Sequence, residues 1–315
     1  MRIALVHHTR LPVEGYGGTE RVVVALARGL AEAGHEVILL APTGTRVPEA
    51  RVIPLDPGRF GDQAFDLSPH LPPGTDLLHA FYPLRRPPSL PWVWTLEGTT
   101  KPGTIRPPNT IYVSADHAAR HQSTAFVYNG LDPADFQFRR AKGDYDLFLG
   151  RLHQSKGYQW AIAGAKAAER KLVVAGGWRP SLSRYVRFVG EVGGAAKAEW
   201  LAGARLLWMP AQWDEPFGLT LIEALLSGTP VLGTRRGALP EVLSPEVAEC
   251  GDTVEELVAR IGAAAGKDPA ACRARAERYF THRTMAAAYL RMYAGFLASG
   301  VLPAGERAAA GPAGA

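Results

Sequence analysis

Short apolar runs alternate with amphipathic stretches along this chain, and after a polar interruption the alternation starts again. The segments RIALVHH at 2–8 and EVILLAP at 36–42 are typical of buried strands. The stretch between them predicts a helix that Thr19 caps and Gly34 ends. Strands joined by helices lie side by side in parallel sheets. The first half therefore predicts an α/β domain, with further strands at 75–80, 92–96, 111–114 and 125–128.

The same pattern returns after the polar segment QFRRAKGDY at 137–145, which is a candidate linker. Further strands are predicted at 146–150, 171–177, 186–190, 204–210 and 229–234, and further helices at 158–169, 252–265, 268–280 and 283–298. The sequence therefore predicts two doubly wound α/β domains. Because such folds bind ligands at the carboxyl ends of their strands, we expect the site in the cleft between the two halves.

Composition excludes several classes of protein. The 315 residues are 47% hydrophobic and 21% charged, which excludes global disorder. No apolar run approaches the roughly 20 residues that span a bilayer, and the N-terminal segment lacks the features of a secretory signal. Cys250 and Cys272 have neither disulfide-framework nor metal-ligand spacing. We therefore expect a cytoplasmic protein, and a net charge of +5 without blocks of like charge predicts no nucleic-acid partner.

The first candidate site is GYGG at 15–18, between the first strand and the first helix. Glycines there let a ligand approach the backbone N–H groups, which favour anions. A dinucleotide fingerprint would need G-x-G-x-x-G, but Glu20 stands in the place of the third glycine. NAD binding is therefore not favoured. A tight turn without a ligand remains the alternative for Gly17 and Gly18.

The second candidate is the pair of cations in FLGRLHQSKG. Arg151 and Lys156 follow the first strand of the second half, five residues apart. Fixed positive charge at this place suits a diphosphate leaving group, on which negative charge develops. Two surface cations on a loop remain the alternative.

The third candidate, EPFGLTLIEALLSGTPV at 215–231, is the most specific. Glu215 precedes a helix that opens with Phe217, Gly218 and Leu219, and Glu223 lies about one turn inside it. Backbone amides at a helix start bind phosphate or sugar oxygens, and carboxylates accept hydrogen bonds from sugar hydroxyls. Two other patterns are set aside. Asp144-Tyr145-Asp146 enters a strand at the wrong end for a metal site, and His7-His8 lacks a third ligand at matching spacing.

Motifs are spread over nearly the whole chain: GGTERV at 17–22, GHEV at 34–37, DLLHAF at 76–81, NG at 129–130, GRLHQSKG at 150–157, EPFG with EALLSGTPV, and ALPEVL at 238–243. Together they resemble the family 4 glycosyltransferases of the GT-B type, which have two Rossmann-like domains. The chain is most similar to the branch with the YGGTERV signature. The resemblance implies that a sugar is transferred from a nucleotide donor with retention at the anomeric carbon, without a metal ion.

The resemblance also implies roles for the candidate residues. Gly17 and Gly18 would approach the donor from the first domain, and Arg151 and Lys156 would hold the diphosphate. Glu215 and the backbone of Phe217, Gly218 and Leu219 would hold the sugar, and Glu223 the ribose. No cofactor is expected beyond the nucleotide sugar, with UDP or GDP as the favoured nucleotide.

The domain plan implied by the resemblance is discontinuous. The last helix would return to the first domain, which would comprise residues 1–140 with 283–300 and bind the acceptor. The second domain would comprise 145–282, and the Ala-, Gly- and Pro-rich residues 301–315 would form a disordered tail. The acceptor would be a saccharide, a lipid-linked sugar or a small molecule. Arg85 and Arg86 are candidates for peripheral contact with a membrane.

One position departs from the family pattern. Most members have His-Gly after the strand that ends here at Leu96, and that His contacts the donor sugar, whereas this chain has Glu97-Gly98. An ionised carboxylate only accepts hydrogen bonds, so we expect Glu97 to accept one from a sugar hydroxyl. A nucleophilic Glu97 and a drifted, weakly active site are the alternatives. At the level of the whole chain, the alternatives to a transferase are a non-catalytic nucleotide-sugar or glycan-binding module and a sugar-nucleotide epimerase.

Overall fold

A computed structural model of the chain describes residues 1–13, 17–60, 62, 64–100, 104 and 106–309. The described residues form two compact units. The first comprises Met1–Asp132 with Thr281–Glu306, and the second comprises Pro133–Phe280 with the described residues after Glu306. The divisions expected from the sequence lie near 140 and 283.

A parallel six-stranded sheet forms the first unit. Residues 3–6 of the first strand are completely buried, because helices cover both faces of a parallel sheet. The strands are β1 (Arg2–Val6), β2 (Glu36–Pro42), β3 (Arg51–Leu55), β4 (Leu77–Ala80), β5 (Trp92–Leu96) and β6 (Thr110–Tyr112), in the spatial order β3-β2-β1-β4-β5-β6. The helices along this part of the chain are α1 (Thr19–Glu32), α2 (Pro57–Phe60) and α3 (Ala115–Arg120), with a 3₁₀ turn at Ser68–His70.

The second unit repeats this topology. Its strands are β7 (Tyr145–Leu149), β8 (Lys171–Ala175), β9 (Val186–Gly190), β10 (Leu207–Met209), β11 (Val231–Gly233) and β12 (Ala248–Cys250), in the order β12-β11-β10-β7-β8-β9. Its helices are α4 (Tyr158–Ala167), α5 (Gly194–Gly203), α6 (Leu219–Leu226), α7 (Leu239–Val242), α8 (Val254–Ala265) and α9 (Pro269–Tyr279), with 3₁₀ turns at Pro133–Asp135 and Gln154–Lys156. The order reverses beside β1 in the first sheet and beside β7 in the second, which is where doubly wound sheets bind ligands. The predicted fold class is confirmed.

The last helix, α10 (His282–Ser299), belongs to the first unit, as the resemblance implied. It begins at a capping box in which Thr281 and Thr284 satisfy each other's backbone N–H groups. Gly29 of α1 makes close packing possible, because a Cβ there would lie 2.5 Å from the carbonyl oxygen of His282. The helix α10 therefore completes the packing around the first sheet.

Buried hydrogen bonds tie α10 to β4 and β5. The Tyr293 hydroxyl lies 2.7 Å from Nδ1 of His79, whose Nε2 lies 2.7 Å from Oγ1 of Thr95. The Tyr289 hydroxyl lies 2.9 Å from the same Oγ1. Since all four side chains are buried, each polar atom needs a partner, and the network fixes α10 in register with the sheet.

Three local predictions are wrong. Thr19 is the first residue of α1, and Gly18 stands at the cap position without a side-chain hydrogen bond. Residues 125–128 form only an isolated bridge, between Tyr112 and Phe126, instead of a strand. Residues 301–309 are held in place: the Gly305 N–H donates to the carbonyl of Thr124 over 2.8 Å, and Arg291 pairs with Glu306. The rest of the tail predicted as disordered, 310–315, lies outside the described residues.

Within the part of the chain that the structure describes, no helix is both long enough and apolar enough to cross a bilayer.

Candidate functional site

The loop after β7 brings Lys156 to Glu215. Their Nζ and Oε2 atoms are 2.6 Å apart, and the same Oε2 accepts a 2.8 Å hydrogen bond from Nε1 of Trp213. The Lys156 ammonium also lies 4.8 Å from the centre of the Trp213 ring, in cation–π range. The structure thus joins two candidates from separate motifs into one cluster, the Lys156–Glu215–Trp213 cluster.

Backbone geometry fixes the position of Lys156. It ends the 3₁₀ turn Gln154–Lys156, and Gly157 follows with φ of 72°. A Cβ at Gly157 would lie 1.7 Å from the carbonyl oxygen of Pro210, so only glycine permits this approach. Arg151 lies on the same segment and is exposed. The loop therefore presents two cations at the carboxyl end of β7.

Glu215 is joined to the start of α6. Phe217 is buried and packs edge-on against Phe280, while Gly218 has φ of 88° and turns the chain into the helix at Leu219. Gly237 passes close to the backbone of Glu215, whose carbonyl accepts a hydrogen bond from the Ala238 N–H. The segment from Glu215 to Leu219 is thus rigidly held, with backbone N–H groups at the beginning of α6.

Glu223 is 1% exposed and lies inside α6. Its Oε1 is 3.1 Å from Nζ of Lys197 on α5. Lys197 was not predicted, and no pattern in α5 distinguishes it from other surface lysines. The structure therefore places Glu223 in a buried ion pair, separate from the pair of Lys156 with Glu215.

Gly17 and Gly18 lie at the beginning of α1 in the first unit. A Cβ at Gly17 would lie 2.6 Å from Cγ1 of Val13 and 2.8 Å from Oε2 of Glu20, so a larger residue would require these side chains to move. The Gly17 carbonyl accepts a 2.7 Å hydrogen bond from Nε of Arg21. Gly15 and Tyr16 of the predicted GYGG motif lie outside the described residues.

Glu97 follows β5 and pairs with Asn129, whose Nδ2 donates to its Oε2 over 2.7 Å. Burial, together with the nearby Glu20 carboxylate, raises the pKa of Glu97 to about 7, although the Asn129 hydrogen bond acts in the opposite direction. Burial thus favours the acid form of Glu97, whereas the sequence analysis assumed an ionised carboxylate. Asn129 belongs to the NG motif, for which the sequence predicted no role.

Gly130, the second residue of that motif, is required by close packing. A Cβ there would lie 2.1 Å from the carbonyl oxygen of Thr281. In the Asn-Gly pair, the Asn129 side chain therefore forms a hydrogen bond with Glu97, and Gly130 leaves room for the backbone of Thr281.

Asp146 and His7 belong to the two sequence patterns that were set aside above. Asp146 is fully buried and accepts hydrogen bonds from Arg205 and from Nε1 of Trp208. Burial lowers the pKa of His7 to about 4, so this imidazole is neutral at physiological pH. Among the described residues, no cluster of three or more His, Cys, Asp or Glu side chains is arranged to hold a metal ion.

Comparison with known proteins identifies the class of enzyme. Residues 16–96 match the model of Glycosyltransferase Family 4, and residues 145–266 match that of Glycosyl transferases group 1. The crystal structure of AviGT4, a glycosyltransferase involved in avilamycin A biosynthesis, is 29% identical, with a TM-score of 0.77 over 95% of this chain and 98% of that one. The chain is a glycosyltransferase. Its fold is GT-B.

The proteins similar to this glycosyltransferase include enzymes that are named for different reactions. A phosphatidyl-myo-inositol mannosyltransferase of Mycolicibacterium smegmatis is 27% identical in an alignment of 305 positions, gaps included, that covers 78% of each chain. An uncharacterized glycosyltransferase of Methanocaldococcus jannaschii is 32% identical over 151 residues, and the match spans only 38% of that protein. A sucrose-phosphate synthase of Thermosynechococcus elongatus, 19% identical with a TM-score of 0.71, shares the fold.

Proposed function

We propose that this glycosyltransferase moves a sugar from a nucleoside diphosphate sugar to an acceptor hydroxyl, with retention at the anomeric carbon and without a metal ion. UDP and GDP are the proposed nucleotides. The observation that supports this best is the Lys156–Glu215–Trp213 cluster, which sets a fixed cation beside the carboxyl end of β7, where the strand order reverses.

The cluster leaves Lys156 able to bind phosphate. An ammonium has three N–H donors, and Glu215 takes one of them. The remaining donors and the exposed Arg151 guanidinium supply positive charge for the leaving diphosphate, which is what a metal ion supplies in other transferases. Since the charges are positioned before the reaction, little reorganisation is needed as the bond breaks.

The proposed reaction has one exchange of bonds at the anomeric carbon. The acceptor oxygen forms a bond to this carbon on the face from which the diphosphate departs, and the carbon–phosphate oxygen bond breaks. The acceptor proton passes to the departing phosphate oxygen. The products are the glycosylated acceptor and the nucleoside diphosphate, so atoms and charge balance.

The other candidate residues hold the donor in this proposal. Glu215 and the backbone of Phe217, Gly218 and Leu219 bind the sugar, Glu223 binds the ribose, and Gly17 and Gly18 approach from the first unit. Glu97 forms a hydrogen bond with a sugar hydroxyl. The acceptor is a saccharide, a lipid-linked sugar or a small molecule bound by the first unit.

A thermal-shift screen against UDP, GDP, ADP and TDP tests the donor. A nucleotide present at 100 times its Kd stabilises the native state by about 2.7 kcal/mol, so the matching one should raise the melting temperature clearly. Incubation of the corresponding nucleotide sugars without acceptor should then release free sugar slowly. Binding without release would indicate a binding module, and an epimeric donor would indicate an epimerase. Either outcome would refute the proposal.

We expect Glu223→Ala and Glu215→Ala to differ in kinetics. A ribose contact is the same in the ground and transition states, so Glu223→Ala should raise KM and the nucleotide Kd about tenfold or more. Contacts near the anomeric centre strengthen as charge develops, so Glu215→Ala should mainly lower kcat. Calorimetry with the nucleotide and steady-state kinetics measure both effects.

Glu199→Ala is the matched control. Glu199 is also a glutamate of the second unit and forms an ion pair with Arg139, but its side chain is exposed. It should change neither parameter. If Glu223→Ala leaves the nucleotide Kd unchanged, the ion pair of Glu223 with Lys197 is structural only.

A further inference from the structure

The segment between β8 and β9, residues 176–185, carries the two most exposed large apolar side chains in the described part of the chain. Trp178 is 70% exposed and Leu182 is completely exposed. The residues between them are exposed as well. Single exposed apolar residues are common on protein surfaces, whereas exposed apolar groups that lie together mark interaction sites. This segment, the β8–β9 loop, is therefore a candidate interaction surface of the second unit.

Both ends of the β8–β9 loop are held by backbone hydrogen bonds. The Gly176 N–H donates to the carbonyl of Gly190 over 2.7 Å, and the Leu172 N–H donates to the carbonyl of Tyr185 over 2.7 Å. The apolar side chains thus extend from a loop whose ends are fixed. Because less of the backbone must be ordered on binding, the entropic cost of a contact made by this loop is reduced.

Positive charge surrounds the two apolar side chains. Residues 170–190 include five Lys or Arg and no Asp or Glu, so this segment alone carries as much net charge as the whole chain, +5. Among the described residues, no carboxylate pairs with Arg179 or Arg187, which lie over aromatic rings. Arg184 lies 3.8 Å from Glu169 in an exposed pair, which binds weakly. The loop therefore suits a partner that is both anionic and apolar.

We propose that the β8–β9 loop docks on an anionic lipid surface, with Trp178 and Leu182 inserted below the lipid headgroups and Arg179, Arg184 and Arg187 bound to lipid phosphates. Tryptophan is enriched at membrane interfaces, where its ring is in an apolar region and its N–H faces polar groups. Each Arg near an anionic bilayer strengthens binding about fivefold. The inference goes beyond the proposed function, since it depends on neither the donor nor the acceptor.

Two other contacts explain the loop less well. A nucleic acid is also anionic, but single-stranded sites present several aromatic rings to successive bases, and this loop exposes one ring beside an aliphatic Leu182. Arg85 and Arg86, the membrane candidates from the sequence, have no exposed large apolar side chain near them in the described chain, and Arg86 pairs with Asp66. The structure thus favours a membrane contact on the second unit.

Sedimentation of the full chain with lipid vesicles tests the apolar part of the inference. Wild type should bind vesicles of phosphatidylcholine with about 30% phosphatidylglycerol at least about tenfold more strongly than vesicles of phosphatidylcholine alone, and added salt should weaken the binding. Trp178→Ala/Leu182→Ala should lower the binding about tenfold or more, because the inserted apolar surface is lost. Val301→Ala is the control, since Val301 is 69% exposed but belongs to the first unit. It should bind as wild type does.

A matched pair of arginine variants tests the charge. The Arg184 side chain is 76% exposed and 3.8 Å from Glu169, and the Arg140 side chain is 72% exposed and 3.9 Å from Asp268. Arg184→Ala should weaken binding to the anionic vesicles about fivefold. Arg140→Ala, outside the loop, should leave it unchanged. Equal effects of the two variants would overturn the inference, because the binding would then follow net charge alone.

Tryptophan fluorescence with brominated phosphatidylcholine in the anionic vesicles reads insertion directly. The quenching should be present in wild type and largely lost in Trp178→Phe, and circular dichroism should show that every variant is folded. Wild type that does not bind the anionic vesicles overturns the inference, as does full binding by Trp178→Ala/Leu182→Ala. Unquenched fluorescence of bound protein also overturns it. Binding of a single-stranded oligonucleotide but not of vesicles would show a nucleic-acid site instead.

Discussion

Replacing Lys156 with alanine is expected to lower kcat/KM by at least about 100-fold, in line with the loss of one preorganised charge donor to the leaving group. Lys156 and Glu215 are both largely buried, so some loss of stability is expected, but Trp213 still donates to Glu215 and the variant should fold. Arg151→Ala should have a similar effect. Donor hydrolysis and circular dichroism measure both consequences.

Lys171→Ala is the control for this experiment. Lys171 is also a lysine of the second unit paired with a carboxylate, that of Asp144, but it stands at the beginning of β8, away from the carboxyl ends of the strands. Its replacement should leave turnover unchanged. A folded Arg151→Ala/Lys156→Ala double variant with wild-type turnover would show that neither cation binds the diphosphate.

Asp146→Ala should destabilise the second unit by about 3–5 kcal/mol, which is the usual cost of removing one partner from a buried ion pair. The side chain of Asp146 is fully buried, and its loss leaves Arg205 and the Trp208 N–H without their acceptor. Burial raises the pKa of Asp146, whereas Arg205 acts to lower it. Urea unfolding followed by tryptophan fluorescence measures the change in the free energy of unfolding.

The neighbouring Asp144 provides the matched control. It is exposed and pairs with Lys171 at the surface, so Asp144→Ala should cost less than about 1 kcal/mol. Neither variant should alter turnover per folded molecule. If turnover required a divalent metal ion and Asp144→Ala removed that metal-dependent turnover, the Asp-Tyr-Asp segment would be a metal site. The metal-independent mechanism would then be refuted.

The central strands were predictable because they are uninterrupted apolar runs, as in β2 and β5, whose bounds match the prediction. The strand β3 was missed because it lies at a sheet edge, where only Leu55 of its residues is buried and Pro54 interrupts the pattern. The strand β12, at an edge of the second sheet, was missed because only Ala248 of its three residues is buried. A strand with a single buried residue carries little of the apolar signal in its sequence.

In the candidate site, residues of local motifs were predictable, whereas contacts made by tertiary packing were not. Lys156 and Glu215 belong to local motifs, so the sequence was enough to select them. Lys197 approaches Glu223 from another helix, and this pairing depends on tertiary packing that no local pattern encodes. The raised pKa of Glu97 could not be predicted for a similar reason: it depends on burial and on Glu20, which is 77 positions away in the chain.

The point where the chain leaves and re-enters the first unit has a practical consequence. Leu131 pairs with Thr281 in an isolated parallel bridge, and the His282 N–H donates to the Leu131 carbonyl over 2.9 Å. Residues 133–280 are thus a cassette whose two ends attach at adjoining points of the first unit. Exchange of this cassette with that of another GT-B enzyme, with Gly130 and the Thr281 capping box retained, would make chimeras that test whether nucleotide choice follows the cassette and acceptor choice follows the first unit.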